Sequence, residues 1–362
     1  FTPLPALSLQ GEANLGIPAW LAAVEADLDK ALASGTPIRQ VVMGRCCAID
    51  SMMEALFELY ELDQTDLTLF ATGGYGRGEL HPFSDVDLLL LSPNPIDEAL
   101  NQKISPFVAK LWDIGIDPAL VVRSVEECDE ACHDDITVAT SLLEARILAG
   151  NVAQAGLPMQ LLNKNWSQTK FYEAKMAEAK ARYLKHNSTE YNLEPDLKNA
   201  PGGLRDIHTV SWISKRYFRV TNLFGLVQQE FITEKEFDEL QEAEDFLWLI
   251  RHHLHKIAKR NENRVLFDYQ RLIAERIGYR DNSHPNAAVE QFMRDYYRYA
   301  MSNSTLSEML TQHYYETLIE ARLPDEQRPV SKVINERFKL VGDRIAVTHT
   351  RVFAQHPTAI LE

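Results

Sequence analysis

The sequence predicts an α+β protein, in which a small mixed-sheet unit is followed by an all-helical array. Three observations carry that expectation. Short apolar runs at residues 67–72 and 86–91 flank a glycine-rich turn, which is the pattern of two buried strands joined by a tight connection. A third short run follows at 119–122, and beyond residue 136 apolar positions recur almost wholly at helical spacing.

Taken in order, apolar residues recur at helical spacing over 17–34, where Gly35 ends the run, and Pro37 opens a second helical stretch reaching about residue 62. Between the second and third strands, 96–112 reads as a helix. Ser124 closes the third strand and stands three residues before Glu127, the spacing of a capping box. Amphipathic segments then lie near 136–149, 157–186, 204–219, 233–259 and 286–320, with Thr233 and Glu236 forming another capping box. One irregular passage, 187–203, holds two prolines and the adjacent glycines Gly202 and Gly203, and is expected to be a loop within the helical array. Near the end, alternating runs at 337–340 and 345–347 flank Gly342-Asp343, a hairpin signal. The expected organisation is therefore helices over 1–62 packed on a mixed-sheet unit at 63–150, a helical unit at 151–330, and a hairpin and linker at 331–362.

The chain has 362 residues, 45% hydrophobic and 25% charged, enough to bury one large core or two ordinary ones. No uncharged apolar run is long enough to span a membrane, and the start lacks a signal-peptide layout, so a cytoplasmic protein is expected. A net charge of −15, from 52 acidic and 37 basic residues, disfavours nucleic acid as a partner. The four cysteines, Cys46 with Cys47 and Cys128 with Cys132, read as reduced thiols. His133 beside the second pair brings a metal set only to three.

Chemistry concentrates in residues 70–91, FATGGYGRGELHPFSDVDLLLL. Gly73 and Gly74 leave backbone N–H groups open to an incoming triphosphate, while Gly76 and Gly78 keep the connection tight. Asp85 and Asp87 alternate with Val86, so both carboxylates share one face of the strand while Val86 and Leu88 point into the core. Paired carboxylates there suit a divalent metal, Mg²⁺ above all, with Mn²⁺ a second choice. Such a metal can activate an attacking oxygen and stabilise leaving pyrophosphate. The bland readings are a common turn and a solvated strand edge. The joint spacing favours the functional one.

This passage resembles the Gly-Gly/Asp-x-Asp signature of the DNA-polymerase-beta-type nucleotidyltransferase superfamily. The fuller GGYGRGELHPFSDVDLL form is similar to the bacterial PII uridylyltransferase family. YNLEPDLKNAPGGLRDIH at 191–208 and FLWLIRHHLH at 246–255, followed by LFDYQ and FMRDYYR, agree with it. The resemblance runs from about Ala23 to the C-terminal end. It implies a nucleotidyltransferase sheet unit, UTP as donor, a tyrosine hydroxyl of the PII signalling protein as acceptor, and pyrophosphate as product. It also implies that the HD domain for uridylyl removal and the glutamine-sensing ACT domains of full-length members lie beyond this chain.

Carried over, Gly73 and Gly74 would hold the triphosphate, with Ser84 beside them, and Asp85 and Asp87 the metals. Asp117 matches the position of a third acid on a neighbouring strand, or caps the preceding turn. Arg77 sits where a guanidinium pairs with phosphate, with Glu79, or with solvent. In the second motif Lys198 and Arg205 are candidate nucleotide-binding cations. Glu194, Asp196 and Asp206 lie around Gly202-Gly203, where a structural hinge is the other reading. His252, His253 and His255 are read as packing, and His133-Asp134 lacks the further ligands of an HD-type phosphohydrolase. The rival enzyme is a glutamine-synthetase adenylyltransferase-like transferase using ATP, and the rival of another class is a silent module that binds nucleotide or PII.

Overall fold

The computed structural model describes residues 16–185, 191–220, 222–281, 284–324, 330–342, 344–349 and 352–361. Two long helices come first, α1 (Gly16–Ala33) and α2 (Ile38–Leu59), with Gly35 in the left-handed region between them. Next come β1 (Thr68–Ala71), a single helical turn α3 (Gly73–Gly76), β2 (Val86–Ser92), α4 (Glu98–Asp113) and β3 (Pro118–Ser124). The chain continues through α5 (Val125–Asp134), α6 (Ile136–Leu143) and β4 (Arg146–Gly150). Helices then predominate: α7 (Leu157–Asn165), α8 (Gln168–Lys185), α9 (Leu204–Phe218), α10 (Phe224–Gln228), α11 (Glu234–Ala258), α12 (Phe267–Ile277) and α13 (Ala287–Tyr314).

The sheet has the order β3-β2-β1-β4, with β2 and β3 parallel and the other pairs antiparallel. It is the mixed sheet expected. Alternation along β2 divides the core in two: Leu88 and Leu90 join the cluster that includes α1, α2 and α11, whereas Leu89 and Leu91 join a second cluster with Phe70, Leu142, Leu162 and Trp212. Asp87 shares the parity of Leu89, so its carboxylate emerges on the side of the second cluster.

Both predicted capping boxes form. Ser124 and Thr233 each accept from the backbone N–H three residues on, and Glu127 and Glu236 reach back to the cap. The helix expected over 136–149 ends at Leu143. Residues 146–150 pair with β1 instead, because the open edge of β1 supplies backbone partners that a continued helix would leave unmade. A Cβ on Gly150, at φ +99°, would stand 2.2 Å from the Leu67 carbonyl oxygen, which explains glycine at the end of that strand.

The described residues up to Glu308 form one compact unit, and its main core includes residues from Ile17 to Ala300, across the boundaries read at 62/63 and 150/151. A second unit begins at Met309. It contains the antiparallel sheet β5 (Ser331–Val333), β6 (Phe338–Val341) and β7 (Arg344–Val347), followed by α14 (Val352–Gln355). The hairpin signal corresponds to β6 and β7, while Asp343 lies outside the described residues. No helix among the described residues is long and apolar enough to cross a membrane.

Candidate active site

β1 and β2 fix the first wall of the site. Ala71 pairs with Leu88, and the Thr72 N–H donates to the Asp87 carbonyl at 3.0 Å, so α3 begins directly beside Asp87. Gly73 has φ +52°, and a Cβ there would lie 2.3 Å from Asp87 Oδ2. Glycine at 73 thus serves both the backbone angle and the approach of the carboxylate.

Gly73, Gly74, Arg77, Ser84, Asp85, Asp87, Lys198 and Arg205 all line one cleft of about 260 Å³. Of the residues singled out in the sequence for catalysis or nucleotide binding, Asp117 alone does not. It is exposed, and its carbonyl accepts from the Val86 N–H at 2.8 Å. Asp87 is in register with Ala119, so alternation sets Asp117 on the same side of the sheet as the two cleft aspartates, just ahead of the first residue of β3.

Burial, and then the nearby Asp85 charge, raise the Asp87 carboxyl to about 6, against the opposing pull of Lys198 and the Gly74 N–H. Asp85 accepts from Asn261 Nδ2 at 3.1 Å. Burial, with Arg251 and Arg205 close by, lowers Lys198 to about 8, and burial with nearby Arg77 lowers Arg205 as well. Cations and a pair of acids thus meet in one cleft, an arrangement whose chemistry suits a metal-bound polyanion.

Arg77 is engaged within the protein. Its two terminal nitrogens reach Glu79 at 2.8 Å and Glu144 at 2.6 Å, and these carboxylates raise its pKa despite burial. The acids of the second motif act on the backbone. Asp196 accepts from the N–H groups of Lys198 and Asn199 at 2.8 and 2.7 Å, and Asp206 from Gly202 N–H at 2.7 Å and from Arg182 at 2.7 Å. Glu194 accepts from the Phe267 N–H at 3.0 Å, at the start of α12. The motif therefore separates by charge: its acids shape the loop, and its cations Lys198 and Arg205 line the cleft.

Several lining residues were not singled out in the sequence: Thr137, Thr140 and Ser141 of α6, Lys175 and Glu178 of α8, Trp212 of α9 and Arg251 of α11, the last inside the 246–255 motif. Lys175 pairs with Glu178 at 2.7 Å and lies 3.9 Å from the centre of the Trp212 ring, a cation–π contact. Arg251 adjoins the HHLH run that reads as core packing. Its Nε donates to Asn263 at 2.9 Å. His255 does pack as expected, edge to face with His81, and its Nδ1 meets the Pro82 carbonyl. A larger groove of about 750 Å³ between the α1–α2 turn and α11 contains none of the residues singled out for catalysis or nucleotide binding.

Two family models match the chain in succession, a nucleotidyltransferase domain over residues 52–140 and GlnD PII-uridylyltransferase over 170–311. A bifunctional uridylyltransferase/uridylyl-removing enzyme of Psychrobacter sp. (strain PRwf-1) is 62% identical over 366 residues, covering 100% of this chain and 41% of that protein. Its counterpart in Psychrobacter arcticus is 59% identical, covering 98% of this chain and 39% of that protein. That of Acinetobacter baumannii (strain AYE) is 48% identical, covering 95% and 39%. The chain thus spans about two fifths of the length of the curated relatives it matches. With the glycines and aspartates of the cleft inside the first match and Lys198, Arg205 and Arg251 inside the second, the chain belongs to the GlnD PII-uridylyltransferase family.

Proposed function

We propose that this chain transfers UMP from UTP to a tyrosine hydroxyl of the PII signalling protein in the cytoplasm, releasing pyrophosphate, with Mg²⁺ as its metal. The observation that carries the reading is the convergence of Asp85, Asp87, Gly73 and Gly74 with Lys198 and Arg205 on one cleft.

The donor set fits a divalent ion. Burial first, and then the neighbouring Asp85 carboxylate, hold Asp87 near 6, and the missing Cβ of Gly73 leaves room beside Asp87 Oδ2. Asp85 and Asp87 would hold the ion, with Asp117 the candidate third acid at the strand edge. When bound, the metal supplies positive charge against the phosphates and favours both the attacking and the leaving oxygen.

The remaining work falls to the protein's own groups. The open backbone at Gly73 and Gly74 lets phosphate oxygens approach N–H donors, and Ser84 offers a hydroxyl nearby. Lys198 and Arg205 neutralise triphosphate charge and orient it for in-line displacement. Lys198, near 8, remains mostly protonated at neutral pH. Arg77 acts by position, holding Glu79 and Glu144 and so bracing the cleft wall.

The test incubates the purified chain with PII, Mg²⁺ and labelled UTP or labelled ATP, beside an Asp87→Asn variant. Label moving from UTP to PII and lost in the variant is expected. Transfer from ATP alone would point to an adenylyltransferase-like enzyme, and UTP binding without transfer to a silent binding module.

A further inference from the structure

Behind the cleft wall lies a second cavity, of about 320 Å³, which shares Arg77, Glu79 and His208 with the cleft but opens onto Arg39, Lys215, Gln241 and Glu244. On its wall, ligand atoms of Glu79, His208 and Glu244 all lie within 4.8 Å of one another. They come from three elements: the connection before β2, α9 and α11.

His208 is 3% exposed. Its Nε2 stands 3.0 Å from Glu79 Oε2, off the line that a hydrogen bond needs, and its Nδ1 has no partner. A buried imidazole left so incurs a desolvation cost that a metal bond would remove. Burial, with Arg77 adding to it, lowers its pKa to about 3, so the ring is neutral and its lone pair free.

Charge around the cluster is unbalanced. Arg39 pairs with both Glu244 and Asp245, each at 2.7 Å, and Arg77 with both Glu79 and Glu144. Each guanidinium thus serves two carboxylates, and Lys215 is the one further cation on the cavity wall. Burial first, and then the Glu79 charge, raise Glu244 to about 7.

We propose that Glu79, His208 and Glu244 form a second divalent-cation site, for an ion of the manganese or zinc class, distinct from the aspartates of the cleft. One imidazole nitrogen and two carboxylates are a suitable set for such ions, with water from the cavity completing the shell. Ligand atoms about 2.1 Å from an ion stand at most about 4.2 Å apart, so a small side-chain adjustment closes the site. The bound ion ties α9 and α11 to the connection that carries Arg77. This inference does not depend on the uridylyl-transfer reading.

The test uses the whole chain, stripped with EDTA, in an Asp85→Asn/Asp87→Asn background that removes the cleft carboxylates. MnCl₂ is titrated in and free Mn²⁺ followed by electron paramagnetic resonance, a probe that avoids the thiols zinc would seek. One bound Mn²⁺ per chain is expected, showing nitrogen modulation in the pulsed spectrum and lost when Glu244→Gln is added. Absence of binding, or binding without nitrogen modulation, overturns the proposal. So does binding undiminished in a Glu244→Gln chain that melts like its parent in EDTA. If Glu244→Gln does not fold, the parent's stoichiometry and nitrogen signal decide.

Discussion

Asp87 Oδ2 occupies space that a side chain at position 73 would need, 2.3 Å from where a Cβ on Gly73 would stand. The glycine and the acid are one structural unit. Gly73→Ala is therefore expected to displace the carboxylate and cut UMP transfer by about 100-fold or more, since ångström-scale misplacement is costly to catalysis. The left-handed angle adds about 1 kcal/mol of instability. Transfer rate and urea midpoint measured together check it, and a fully active Gly73→Ala chain would refute the pairing.

The two strand acids and the edge acid are expected to differ in rank. Asp87→Asn should reduce transfer by roughly 1,000-fold with the melting temperature held or raised, because a carboxylate already pushed upward is relieved by neutralisation. Asp117→Asn should reduce it by about 10-fold or more if the side chain turns inward on the loaded cleft. Wild-type activity in Asp117→Asn would remove it from the metal set.

Lys198 and Arg205 are expected to act on donor affinity. A charge-assisted hydrogen bond contributes about 1.5–3 kcal/mol, so Lys198→Ala should raise the KM for UTP by about 10- to 100-fold, with Lys198→Arg recovering part of it. Steady-state kinetics at fixed ionic strength read this directly. An unchanged KM would mean that the triphosphate lies elsewhere.

Stability should fall as the solution is acidified through the histidine range. Burial lowers His208 and His255 to about 3 and His253 to about 4, and holds His81 well below its ordinary value. Unfolded, each titrates near 6.5. The unfolded chain thus binds more protons, so the stability these groups support is whole above about pH 6.5 and drains as pH falls toward 3. The loss is at most about 2 kcal/mol per histidine by pH 5. Urea midpoints from pH 7 to 5, taken in EDTA, should decline with proton uptake on unfolding. The raised Asp87 and Glu244 carboxyls work against this decline, so the deciding readout is the ring resonances of the folded chain: a ring of His81, His208, His253 or His255 titrating near 6.5 would contradict its burial as a neutral group.

The sequence made Gly73, Gly74, Asp85 and Asp87 legible because strand alternation and a glycine turn specify them within a few adjacent residues. Lys198 and Arg205 were legible through the motif they belong to. Thr140, Lys175, Trp212 and Arg251 were not, since each sits on a helix whose own periodicity says only which side is buried. They meet in space because α6, α8, α9 and α11 pack together, a relation that no local spacing records. β4 was hidden for a similar reason. Its five residues are a strand only because the edge of β1 is there to pair with. Arg77 shows the converse: local sequence offered Glu79 as a partner, and the structure adds Glu144, 67 positions away.

A Cβ on Gly202, at φ +76°, would sit 2.2 Å from the Ala300 carbonyl oxygen, and Asn303 Nδ2 donates to the carbonyls of Gly202 and Gly203 at 2.8 and 3.1 Å. The loop that presents Lys198 is thus clasped by α13, a hundred residues downstream. Anyone trimming this polypeptide toward a minimal transferase should expect the cutting point to lie past Asn303. A piece ending sooner would retain every residue that names the chemistry and lose the clamp that aims one of its cations.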